Sequence, residues 1–204
     1  MLTVINRTVL PALVLMLLLT AGEARAGAPT EAIKGMADEV IRLISDPGYQ
    51  NPSQKKALRQ RVKSSVDRRF DYEEMAKRSL GATWGKLSGS QRSEFVRLFA
   101  ELLETSYADK VERFSGETVN YVGESRDGEY AEVRTVLLRR NDRIPMNYRM
   151  INKSSWVVYD VVIEGVSLVS NYRSQFQQVI SQSSYSELVK RLRTKVSELG
   201  QTQG

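Results

Sequence analysis

Apolar positions recur at three- and four-residue steps through the first half of the chain, then at two-residue steps. Ile33, Met36, Ala37, Val40, Ile41 and Ile44 set a helical period over residues 29–45. The stretch "SDPGYQNP" interrupts it with turn formers. Asn51 is then placed to cap a second helix, with Pro52 at its first position and Gln54 reaching back three residues. Leu58, Val62 and Val66 form its apolar side, while Lys55, Lys56, Arg59, Arg61, Lys63 and Arg68 give it a solvated basic face. Asp71 opens a short third helix with Glu74 in the capping-box position and Gly81 as its stop. Ser88 and Gln91 open the longest helix, striped by Phe95, Leu98, Phe99, Leu102, Leu103, Tyr107, Val111 and Phe114.

The period then changes. Residues 118–123, 130–139, 144–151 and 156–163 predict four strands, with turns at 126–128 and 141–142. Short connections favour an antiparallel meander. Ser167 can cap a helix carrying Leu168, Val169, Tyr172, Phe176, Val179 and Ile180. Ser184 or Ser186 starts a last one with Leu188, Val189, Leu192, Val196 and Leu199. Helices, then strands, then helices predict an α+β fold, with several helices packed on a curved antiparallel four-stranded sheet.

The strands carry too many apolar faces. In the fourth, Val157, Tyr159, Val161 and Ile163 share one side, and Trp156, Val158 and Val162 the other, interrupted by Asp160 and Glu164. Ile144, Met146, Tyr148 and Met150 make one apolar face of the third. Ala131, Val133, Thr135 and Leu137 share a face of the second, with Val136 and Leu138 opposite. A sheet with one wet face alternates cleanly. Further helices, a partner protein or a ligand must therefore meet the second face.

Composition narrows the chemistry. The 204 residues, 41% hydrophobic and 26% charged, suit one globular domain. There is no Cys and no His, so thiol chemistry, a Ser-His-Asp triad and His-ligated zinc are excluded. No phosphate-loop motif occurs. Arg7, the apolar run from Val9 to Leu19 and Ala24-Arg25-Ala26 fit a cleaved signal peptide at 1–26. A single domain at 27–199 and a mobile tail at 200–204 would follow. The net charge of +6 would suit nucleic acid in the cytosol. In an exported protein it fits anionic headgroups or an acidic protein surface instead. Asp71, Glu73 and Glu74 fall in a first helical turn, where acids complement the dipole. Asp160 and Glu164 would need a partner if buried, and Arg149 or Arg173 could supply one.

Several motifs carry a resemblance. "RFDYEEMAKRSLGATW", "QRSEFVRLFAELLETSYADKVERF", "MNYRM", "WVVYDVVIEGVSLVSNYRSQF" and "SELVKRLRTKV" together resemble the MlaC family of periplasmic phospholipid-binding proteins across nearly the whole mature chain. Tyr72 stands where the family often has Phe. The resemblance implies an NTF2-like sheet with added helices, enclosing an apolar cavity for acyl chains. It implies a periplasmic carrier that exchanges phospholipid with an outer-membrane lipoprotein–porin complex and an inner-membrane ABC transporter bearing an MCE protein. It implies no catalytic group, metal or cofactor, no nucleic acid partner, and a monomer. The faces of the elements give the expected lipid-binding wall: Phe95, Leu98, Phe99, Leu102, Tyr107, Val133, Leu137, Met146, Tyr148, Met150, Tyr159, Val161, Tyr172 and Phe176. A one-residue error of register would exchange a strand's whole set. Three other readings stay open: an NTF2-like enzyme using Asp160 or Glu164, a protein-interaction module, and a carrier of hopanoid-type lipid.

Overall fold

A computed structural model of the chain describes residues 27–112, 116–139 and 142–202. The expected signal segment, Phe114, Asn141 and the side chain of Val111 lie outside the described residues. The first helix, α1 (Ala28–Ile44), has Pro29 near its start and Glu31 in its first turn. Its N-terminus is pinned to the sheet, because the Thr30 N–H and hydroxyl both donate to Glu124, at 2.9 and 2.6 Å. A 3-10 turn leads to α2 (Pro52–Asp67). Asn51 caps that helix by accepting from the Ser53 N–H. Gln54 does not reach back as the spacing predicts: it turns toward Gly48, whose carbonyl already accepts from the Asn51 N–H at 3.0 Å.

The third helix, α3 (Tyr72–Leu80), is capped by Asp71, which accepts from the Glu74 N–H at 3.0 Å. The reciprocal half of the capping box is absent for a physical reason. The Asp71 N–H is spent on the Val158 carbonyl at 2.8 Å, so Glu74 pairs with Arg78 instead. The box at α4 (Gly89–Glu112) is complete: Gln91 N–H donates to Ser88 Oγ, and Ser88 N–H to Gln91 Oε1. Gly81 ends α3 at φ 55°, ψ −129°, backbone space that L side chains rarely occupy. An added Cβ would also sit 3.2 Å from an Arg173 guanidinium nitrogen. Gly81→Ala is expected to lower stability by about 1–3 kcal/mol, read as a shifted urea midpoint.

The sheet runs in the order β1 (Thr118–Asp127), β2 (Tyr130–Arg139), β3 (Asp142–Asn152), β4 (Trp156–Ile163), β5 (Val166–Ser167), antiparallel throughout. The periodicity predicts four of these. The fifth has only two residues, too few to show a period. It is joined to β4 by Glu164 (φ 50°) and Gly165 (φ 82°), a tight turn with both central residues at positive φ. Glu164 is therefore an exposed turn residue, not an acid interrupting a strand. The rest of the β4 edge is covered by residues 69–71, which exchange two backbone bonds with Val158. Covering an edge this way removes a template for aggregation.

The register resolves the doubled apolar faces. Arg149 pairs with Asp160, but the next residue, Met150, pairs with Val158, so Tyr159 is the extra residue of a β-bulge. A bulge re-aims the chain and breaks the two-residue alternation. Trp156 and Val158 thus join Val161 and Ile163 on one face. The expectation that Trp156 and Val158 share a face with Asp160 assumed unbroken alternation and is corrected by the bulge. A second bulge leaves Val122 unpaired and exposed in β1.

The chain ends in α5 (Leu168–Gln182), capped by Ser167, and α6 (Tyr185–Thr202), capped by Ser184. The last helix continues through Gly200, past the expected limit at Leu199. Among the described residues no helix is long and apolar enough to cross a membrane.

Candidate functional site

Two larger apolar clusters form the body of the molecule, and a third, of Leu43, Tyr49 and Leu58, joins α1 to α2. The helical one joins α3, α4, α5 and α6. Phe95, Leu98, Phe99, Leu102 and Phe176 are buried in it, with Tyr107 and Tyr172 half-buried at its margin. Its aromatic rings interlock: Phe99 lies 5.2 Å edge-on to Tyr172, 5.6 Å edge-on to Phe176 and 5.9 Å stacked on Phe95. The sheet cluster gathers Val133, Met150 and Val161, with Met146 and Tyr148 half-buried, under Ile33 of α1.

The expected wall is therefore divided between two clusters rather than gathered round one hollow. Leu137 is half-buried near the end of β2 and belongs to neither. Tyr159 is a correction. The bulge turns it away from the inner face and into a polar cleft with Tyr130, Arg78 and Asp160. There the Arg78 guanidinium lies 4.1 Å from the centre of its ring.

The clusters meet at a seam. Phe70 packs against both, and the consecutive residues Leu168 and Val169 belong to different ones. Half-buried apolar side chains fringe both clusters: Phe70 touches the two, Tyr72 the helical one, and Met146, Tyr148, Ile163 and Leu168 the sheet one. Burial still acts on the phenols there. It pushes Tyr148 up to about 12, and it pushes Tyr72 higher still, with the Asp67 carboxylate adding to the effect. Tyr121, on the sheet side, is also raised by burial, and its hydroxyl makes no hydrogen bond among the described residues.

Phe70, Leu168 and Ile163 are absent from the expected wall. Phe70 had a signal in the sequence. It precedes the Asp71 cap, the position whose apolar residue staples onto the fourth residue of the helix, here Met75. Ile163 lay on the same predicted face as Val161. Leu168 had no such signal, because its side is set by the short β5.

Asp160 is 3% exposed and fully engaged. Oδ2 accepts from Ser167 Oγ at 2.6 Å and Arg149 at 3.2 Å, and Oδ1 accepts from the Val169 N–H at 3.1 Å. Arg149, not Arg173, is the partner. Asp160 thus ties β4 to the first turn of α5, and Glu164 does not approach it as a second acid.

The class is set by this architecture: an α+β chain whose curved antiparallel sheet turns one apolar face toward helices. The chain belongs to the MlaC family, whose sequence model matches residues 34–194. It is 24% identical over 164 residues to the intermembrane phospholipid transport system binding protein MlaC of Haemophilus influenzae, covering 77% of this chain and 73% of that protein. It is also similar to the phospholipid-binding protein of Ralstonia solanacearum, solved in complex with a phospholipid. That likeness has a TM-score of 0.76 and 25% identity, over 86% of this chain and 99% of that one.

Proposed function

We propose that the protein is a periplasmic phospholipid carrier that holds acyl chains along the seam between its two apolar clusters. The observation that carries this reading is the fringe of half-buried apolar side chains on the two clusters, with Phe70 packed against both. The names of the Haemophilus and Ralstonia proteins support it, since one is the binding protein of an intermembrane phospholipid transport system and the other was solved in complex with a phospholipid. On this reading the open cleft bordered by Glu74, Arg78, Arg149, Asp160 and Arg173 is not the acyl site. Cargo enters by parting the seam.

The energetics suit a shuttle. Two acyl chains carry about thirty methylenes, each favouring an apolar setting by about 0.8 kcal/mol. Crossing water bare is prohibitive, whereas moving from bilayer to protein exchanges one apolar setting for another. The large term nearly cancels, so docking contacts and ATP use by a partner set the direction. The partners on this reading are an outer-membrane lipoprotein–porin complex and an inner-membrane ABC transporter with an MCE protein. No nucleophile, metal or cofactor is needed.

Protein purified without detergent is expected to release phospholipid on solvent extraction, identified by mass spectrometry. Protein that is empty, and stays empty after incubation with phospholipid vesicles, would overturn the reading. Ile163→Asp places a carboxylate at the seam, where an unpaired buried charge costs several kcal/mol. Its lipid-to-protein ratio is expected to fall at least about tenfold, with helix content by circular dichroism unchanged.

A further inference from the structure

The outer side of the sheet holds a feature that the acyl seam does not use. A cleft of about 600 Å³ lies between α3, α5 and strands β2 to β4. Four cations border it: Lys77 and Arg78 of α3, Arg149 of β3 and Arg173 of α5. Two carboxylates, Glu74 and Asp160, line the cleft with them. Both are already engaged. Asp160 holds Arg149, Ser167 and the Val169 N–H, and Glu74 holds Arg78 at 2.8 Å with Lys77 at 3.6 Å. With Glu132, which reaches Arg149 at 3.5 Å, four cations face three carboxylates, a surplus of one positive charge.

The cations are held in place. Arg78 is fixed by Glu74 on one side and by the face of Tyr159 on the other, and Tyr159 is braced edge-on by Tyr130 at 6.1 Å. Arg149 is tethered between Asp160 at 3.2 Å and Glu132 at 3.5 Å. Arg173 makes no ion pair among the described residues. Its guanidinium rests over Gly81, filling the space a side chain would take. The bulge in β4 places consecutive residues, Tyr159 and Asp160, on the same cleft, which a regular strand cannot do. The first turn of α5, through Val169 and Ser170, adds the positive end of a helix dipole.

We propose that this outer cleft binds a phosphate-bearing anion, separately from the acyl chains on the inner face. Planar guanidinium forks match phosphate oxygens bidentately, and the positive surplus, with Arg173 in no ion pair among the described residues, favours an anion. The phosphate belongs either to a soluble ester or to a lipid headgroup presented from outside the protein.

The test is an amide-detected NMR titration of the full chain with glycerol 3-phosphate, which has no acyl chain and so does not report on the inner seam. Saturable shifts are expected at Lys77, Gly81 and Ser170. The double variant Lys77→Gln/Arg173→Gln is expected to weaken binding at least about tenfold, with the remaining amide spectrum unchanged as a check of fold. A flotation arm with phosphatidic acid and phosphatidylcholine vesicles separates the sources. Flotation with phosphatidic acid alone, lost in the double variant, identifies the headgroup; glycerol 3-phosphate binding without flotation identifies a soluble ester. Three results would overturn the proposal: no saturable shift together with no flotation, shifts that persist in the double variant, or a glutamate-rich peptide binding where the phosphate ester does not. Because lipid extraction reads the inner seam, failure here leaves the carrier reading standing, and the converse holds too.

Discussion

Phe99→Ala is expected to cost about 3–5 kcal/mol of folding stability, measured as the shift of the urea unfolding midpoint. Phe99 is fully buried and touches three other rings, those of Phe95, Tyr172 and Phe176. Truncation removes the transfer free energy of the ring and leaves a cavity that the packed rings of α4 and α5 cannot collapse to fill. Edge-on aromatic pairs add about 0.5–1.5 kcal/mol beyond area burial. A domain of this kind has about 5–15 kcal/mol in total, so the variant is expected to be only marginally folded. The measurement also decides between two roles. A side chain that faces a hollow already has open space on one side and creates little new cavity when shortened. A loss below about 1.5 kcal/mol would therefore make Phe99 a wall of an internal hollow, and the helical cluster would belong to the lipid site itself. The full loss would confine the site to the seam.

The helices were legible because their signals are local. Caps at Asn51, Asp71, Ser88, Ser167 and Ser184 lie next to the backbone groups they satisfy, and the helical period survives over many turns. Strands β2 and β4 were legible to the residue for the same reason. The candidate site was not, and the cause is one residue. A bulge at Tyr159 has no composition cue, yet it exchanges the faces on either side of it, so the puzzle of a strand apolar on both sides dissolves only when the pairing with β3 is known. Which helix stripe is a packed core and which borders a ligand is equally non-local. Phe99 and Tyr172 read alike in the sequence, and only their neighbours distinguish a buried ring from a marginal one.

Asp160→Ala is expected to cost about 2–4 kcal/mol, since each buried donor left without its acceptor costs about 1–3 kcal/mol. The carboxylate is the common acceptor for an Arg149 guanidinium, the Ser167 hydroxyl and the Val169 amide. Removing it strands the Ser167 hydroxyl and the Val169 amide where β4 hands over to α5, while Arg149 keeps Glu132 at 3.5 Å. Ser167 is also the cap of α5, accepting from the Ser170 N–H at 3.0 Å, so the damage spreads to the helix that carries Tyr172 and Phe176. Asp160→Asn should cost less, because its oxygen can still accept from two of the three donors while its amide meets the third unfavourably. Ser167→Ala isolates the capping share, about 0.5–2 kcal/mol. An order of Ala, then Asn, then Ser167→Ala in decreasing loss identifies Asp160 as the joint between sheet and helices. If instead Asp160→Ala unfolds at the parent urea concentration, the carboxylate holds nothing together. Its burial beside Tyr159 and Arg78 would then have to be explained by what binds in the outer cleft.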